Sequence, residues 1–72
     1  MDSIIKKYAL QNAIKFNGKA SMGAVIGKIL GEKPELKKKI KEIAKKVNEA
    51  IKEINSLSLE EQKELLEKEA PE

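Results

Sequence analysis

The chain has 72 residues and a mass of 8.0 kDa, with 40% hydrophobic and 38% charged residues, which marks one small folded domain rather than a disordered or membrane-embedded chain. A domain this short buries only about 60% of the surface its unfolded form exposes, so an enclosed active-site cleft is hard to build. It contains no Cys and no His, which excludes disulfide staples and the side chains that most often ligate zinc or shuttle protons near neutrality.

No basic start leads into a signal-like apolar run, and no stretch reaches about 18 apolar residues, so a cytoplasmic location and no membrane contact are expected. The charge is unevenly placed. Residues 1–47 hold 12 Lys and four acids, a net +8, whereas residues 48–72 hold three Lys and eight acids, a net −5. All 15 basic residues are Lys and none is Arg. Lysine is a flexible point charge suited to phosphate and poor at bidentate reading of a base edge. The basic front is therefore the half that suits a polyanion. The Lys, Glu and Ile bias also resembles hyperthermophile surfaces.

The punctuation by Gly, Pro and Ser predicts an all-α chain, a small bundle of three main helices plus a short, loosely packed fourth. The first helix is expected at about residues 4–16, capped by Asp2 or Ser3 and stopped by Asn17-Gly18. Its stripe of Ile5, Tyr8, Ala9, Ala13 and Phe16 has core spacing, and Leu10 and Ile14 widen the apolar surface, so this helix is expected to be largely surrounded. Asn12 falls inside the stripe and needs partners, which the glycine-rich segment can supply from its backbone. The second helix, about residues 21–30, takes Ser21 as N-cap and ends at Gly31. Gly23, Gly27 and Gly31 lie along one of its faces, and two interior glycines costing about 1 kcal/mol each call for a close approach, by another helix or by a phosphate backbone.

Pro34 at a first helical position opens the longest predicted element, residues 34–55. Leu36, Ile40, Ile43, Val47, Ala50, Ile51 and Ile54 give it an unbroken apolar seam over about 33 Å, making it the expected spine of the fold. Residues 1–55 thus form the helical domain. Residues 56–72 read as a linker with a short helix started by the Ser58-x-x-Glu61 capping box, carrying only Leu59, Leu65 and Leu66 as strong apolar residues and fraying over 68–72.

The glycine-rich stretch fails the test for a phosphate-binding loop, because Gly27-Lys28 is followed by Ile29 rather than Ser or Thr and no strand precedes it. What survives is a helix N-terminus at Ser21 flanked by Lys19, able to hold one phosphate, against the plainer reading of an ordinary capped turn. On the long helix, Lys38, Lys41, Lys45 and Lys52 fall opposite the seam, with Lys37, Lys39, Lys28 and further lysines of the first two helices around them. This stripe reads either as a solvated face laced with weak ion pairs or as a track for phosphates. Tyr8 and Phe16, the only aromatics, sit at core spacing, so no stacking platform for bases is predicted. Glu60, Glu61 and Glu64 lie on a wet helix with nothing to shift their pKa values, and no catalytic residue or metal site is predicted.

Five blocks in order, Tyr8-Ala9-Leu10-Gln11-Asn12-Ala13, Gly18-Lys19-Ala20, Gly23 through Glu32, Pro34-Glu35-Leu36 and Ser58-Leu59-Glu60-Glu61-Gln62, closely resemble the N-terminal region of archaeal-type glutamyl-tRNA synthetases. More loosely, the Gly-Lys-Ala and the glycine-rich helix are similar to the helical tail of the tRNA-dependent amidotransferase subunit and to the N-terminal appendage of eukaryotic glutaminyl-tRNA synthetases. The resemblance implies a helical appendage of an enzyme that joins glutamate to tRNA using ATP and magnesium. The family's HIGH-like and KMSKS-like signatures have no counterpart in these residues, so it implies no cofactor and no catalysis for the fragment itself. Its implied partners are glutamate-accepting tRNA and the catalytic domain of the same chain. The isolated domain is expected to be a monomer, with protein-protein docking as the alternative role.

Overall fold

The computed structural model describes residues 2–69, with side chains from residue 4 to residue 68. Among the described residues the chain forms α1 (Asp2–Lys15), α2 (Met22–Glu32), a 3₁₀ segment (Pro34–Lys39), α3 (Ile40–Asn55) and α4 (Leu59–Glu69), with no strand. The all-α bundle is as the pattern predicts. The caps expected at Asp2 or Ser3 lie outside the described side chains, as do residues 70–72 of the stretch expected to fray.

The spine of the bundle is α1 rather than the third helix, because α1 packs against α2, α3 and α4 together. Ile5, Ala9, Leu10 and Ala13 are buried along it, and their two small alanines let neighbouring helices approach from more than one side. Facing them are Val25 and Ile29 of α2 and Ile43, Val47, Ile51 and Ile54 of α3. Burial of these ten side chains is the main apolar driving force of the fold.

Asn17 ends α1 in the left-handed region (φ 64°), and the Gly18 N–H reaches back to the Ala13 carbonyl at 2.6 Å, a Schellman closure. Gly18 follows at φ 102°, where a side chain is strained. The helix thus stops where Asn17-Gly18 predicts, and the stop has a cost to the predicted core. Helical spacing ceases at Lys15, so Phe16 turns outward and is 56% exposed instead of buried.

The expected continuous helix over 34–55 is divided. Residues 34–39 wind as a 3₁₀ segment and the α-helix begins only at Ile40. Lys33 sits at φ −132° and ψ 77°, out of the helical region as the residue before a proline prefers, and Pro34 starts the tighter winding. Three residues per turn take Leu36 and Ile40 off a common α-helical face. Leu36 is half-buried and Ile40 is 46% exposed, so the seam holds only from Ile43 onward. The same proline, not Gly31, sets the end of α2, which runs through Gly31 to Glu32.

Ser58 and Glu61 form the capping box, with the Glu61 N–H donating to Ser58 Oγ at 3.2 Å and the Ser58 N–H donating to Glu61 Oε1 at 2.9 Å. The fourth helix is not loosely packed as expected: α4 lies against α1 as extensively as α3 does, with Leu65 and Leu66 half-buried against the core. Gln62 adds what the pattern does not show. It is fully buried, and its Nε2 donates to the carbonyls of Gly18 and Ile54 at 2.9 Å and of Leu57 at 3.2 Å.

Candidate nucleic-acid interface

Lys41, Lys45 and Lys52 project from one exposed face of α3, opposite the buried Ile43, Val47 and Ile51, because steps of four and seven residues return to nearly the same helical azimuth. They cover about 17 Å of helix. Lys37, Lys38 and Lys39 are exposed as well, on the 3₁₀ segment that leads into α3. Lys19 is exposed in the connection between α1 and α2.

Lys28 belongs to a different surface. Its Nζ lies 5.1 Å from the centre of the Tyr8 ring and donates to Gln11 Oε1 at 3.4 Å, so it faces α1. The Tyr8 hydroxyl donates to Glu32 Oε1 at 2.9 Å, which holds the phenol above its usual pKa of 10.0, chiefly through this hydrogen bond, with desolvation and the Glu32 charge adding to it. Tyr8 is the only tyrosine and there is no tryptophan, so tyrosinate absorbance reads this group alone. Titration is expected to place its midpoint above 10.0, and Glu32→Gln is expected to bring it back down. Because the folded-state value is the higher one, the stabilisation this bond gives is complete below the unfolded-state pKa and is lost as pH rises through the folded-state value.

The first turn of α2 carries no side-chain cap. The Ser21 N–H donates to Asn12 Oδ1 at 2.7 Å and the Ala20 N–H to Asn55 Oδ1 at 2.8 Å, so two asparagines clamp the connection that leads into the helix. Asn12 thereby obtains the backbone partner its position in the apolar stripe demands. The first intrahelical bond, from Val25 N–H to the Ser21 carbonyl, leaves the N–H groups of Met22, Gly23 and Ala24 pointing out of the helix end.

The glycine row does not serve close packing within the bundle. Gly23, Gly27 and Gly31 are exposed on the face of α2 opposite Val25 and Ile29, and a Cβ built on any of them meets nothing within 4 Å. The buried pair, rather than the small residues, selects the face that α2 turns to α1 and α3. Gly27→Ala is therefore expected to raise the stability of the chain by about 1 kcal/mol, read as an increase in the chemical denaturation midpoint at unchanged slope.

The fold defines a small helical bundle with a lysine row on one helix and an open, glycine-lined second helix. Compared with curated proteins, the chain is 57% identical over its 72 residues to the glutamate–tRNA ligase of Pyrococcus furiosus. It is 56% identical over 69 residues to that of Thermococcus kodakarensis, and 47% over 72 residues to that of Methanococcus maripaludis. It covers 96–100% of itself in these matches but spans only 12–13% of the length of the relatives. No family model and no solved structure matches it. Over nearly its whole length the chain is thus similar to a segment of archaeal glutamate–tRNA ligases, the family that its residue blocks resemble.

Proposed function

We propose that this domain is a non-catalytic auxiliary module of a glutamate–tRNA ligase, which assists the attachment of glutamate to tRNA by holding the sugar-phosphate backbone of the tRNA without reading its sequence. The observation that carries the reading is the exposed lysine row of Lys41, Lys45 and Lys52, on a segment similar to part of a tRNA-charging enzyme. Lys38, Lys37 and Lys39 enlarge the field at the start of α3, and Lys19 lies beside the uncapped end of α2. In this reading ATP and magnesium act in the catalytic body of the parent enzyme, and α4 leads toward it.

With about four lysines on phosphates, the logarithm of the binding constant falls with the logarithm of salt at a slope of about −3 to −4. Titration of the 72-residue chain with tRNA at several salt concentrations tests this. Binding that is absent at low salt, or indifferent to salt, overturns the proposal. Aminoacylation by the parent enzyme with and without the segment adds a second reading, in which a tethering role changes KM for tRNA and spares kcat.

One observation favours docking on another protein surface, the open face of α2 where Gly23, Gly27 and Gly31 leave room for a close neighbour beside the exposed Met22. If that face is occupied in the parent enzyme, Gly27→Ala stabilises the isolated chain but weakens the assembled one. Chemical-shift mapping separates the readings, since tRNA perturbs the α3 lysines and a protein partner perturbs the glycine face.

A further inference from the structure

Two clefts among the described residues differ in charge. The one between α1 and α3 is lined by Lys6 and Lys46 but also by Glu49 and Glu53. The one between α1 and α2, of about 290 Å³, is lined by Tyr8, Gln11, Asn12, Lys15, Phe16 and Lys28, with no carboxylate in its wall. Glu32 reaches that cleft only through the Tyr8 hydroxyl that donates to it. Both aromatic residues of the protein line this cleft, and each ring has an ammonium group within 6 Å of its centre, Lys15 at 5.9 Å from Phe16 and Lys28 at 5.1 Å from Tyr8. Tyr8 is fixed at its hydroxyl and across its face, whereas Phe16, at the end of α1, shows more than half its surface to solvent.

We propose that this cleft takes one unpaired nucleobase of a bound RNA strand, stacked on Phe16, with the adjacent phosphate held between Lys15 and Lys28. Base stacking on an aromatic ring tolerates any base, and a neighbouring cation supplies the attraction for the phosphate that every nucleotide carries. The cleft is at the small end of ligand sites, on the scale of one heteroaromatic base rather than a base pair. The amide side chains of Gln11 and Asn12 line the wall that the base edge would meet. The proposal rests on the reading of the domain as an RNA-binding module and adds to the lysine row a contact that distinguishes unpaired from duplex RNA.

The test compares a blunt RNA hairpin with the same hairpin bearing a short unpaired 3′ extension that contains 2-aminopurine, each titrated with the 72-residue chain. The extended hairpin is expected to bind about tenfold more tightly, with a change in 2-aminopurine fluorescence. Phe16→Ala is expected to abolish that difference while leaving blunt-hairpin affinity unchanged, and Phe16→Trp to preserve it. Circular dichroism checks that both variants keep the fold, as the exposed position of Phe16 leads one to expect. Equal binding of the two hairpins, or an equal loss on both in Phe16→Ala, overturns the nucleobase site and leaves backbone binding standing. Binding of neither hairpin overturns both readings. Displacement of the extension by AMP at a concentration comparable to the strand's own also overturns it, because the cleft would then be a free-nucleotide site.

Discussion

Gln62→Leu is expected to lower the stability of the domain by about 2–4 kcal/mol, although leucine is of similar size and more apolar. The substitution removes the Nε2 donor from the carbonyls of Gly18, Ile54 and Leu57, of which Ile54 keeps the bond it accepts from the Leu57 N–H. Part of the loss is offset, because Gln62 Oε1 is itself buried with no hydrogen-bond partner and its removal relieves a desolvation cost. For a domain of this size the melting temperature should fall by about 10–25 °C. In the unaltered chain the transition should be unified: the far-UV signal of all the helices and the signal of Tyr8 on α1 are expected to disappear together. Coincidence follows from the bond between Gln62 and Gly18, which ties α4 to the end of α1 across 44 residues of sequence. A variant with unchanged melting temperature, or an unaltered chain in which α4 melts apart from Tyr8, would sink this account of how the fourth helix is held.

Reversing two of the three charges of the lysine row, Lys41→Glu with Lys45→Glu, is expected to have the largest effect on RNA affinity of any surface change. If four lysines engage phosphates, raising salt from 50 to 200 mM weakens the unaltered chain by about a hundredfold, whereas with two contacts left the same change costs about tenfold. At low salt the variant also repels the strand it formerly attracted, so affinity drops further than neutral substitution would cause. Both positions are exposed on α3, away from Ile43, Val47 and Ile51, and helicity should be preserved. An affinity and a salt slope indistinguishable from those of the unaltered chain would remove the row from the interface. A loss of helicity would mean that the two lysines serve the fold instead.

The all-helical class, the stop at Asn17-Gly18 and the capping box of α4 were legible because each depends on a few adjacent residues with a strong local preference. The lysine row on α3 was legible for the same kind of reason, since a regular helix converts sequence spacing directly into direction. Where regularity fails, spacing misleads. Phe16 has core spacing relative to Ala9 and Ala13, yet it falls one residue beyond the helix that would have carried it inward. Leu36 and Ile40 read as the start of a seam, but Pro34 commits the chain to a tighter turn in which their four-residue step no longer faces the core. The glycine row was visible, while the choice of the opposite face for burial depended on α1 and α3 together and could not be read from α2 alone.

Gln62 was hidden by its neighbours, since an amide within an acidic helix reads as solvent-facing. A signal was nevertheless present. Gln62 is the uncharged polar residue among Glu and Lys, and its spacing from Leu59 and Leu66 places it on the same face as both. The clamp by Asn55 on Ala20 had no comparable signal, because it joins segments 35 residues apart through one side chain. The aromatic cleft followed from the outward turn of Phe16, so it became visible only once the true end of α1 was known.

Asn-Gly pairs are the sequences most prone to spontaneous deamidation, because the glycine amide nitrogen attacks the asparagine side chain with little hindrance. In this chain that nitrogen is turned back into the helix, where its hydrogen is held by the Ala13 carbonyl at 2.6 Å and Asn17 is fixed in a left-handed conformation. The closure that halts α1 therefore also protects the most labile chemical step in its own sequence. Ageing of this site is coupled to opening of the helix end rather than to the exposure of Asn17.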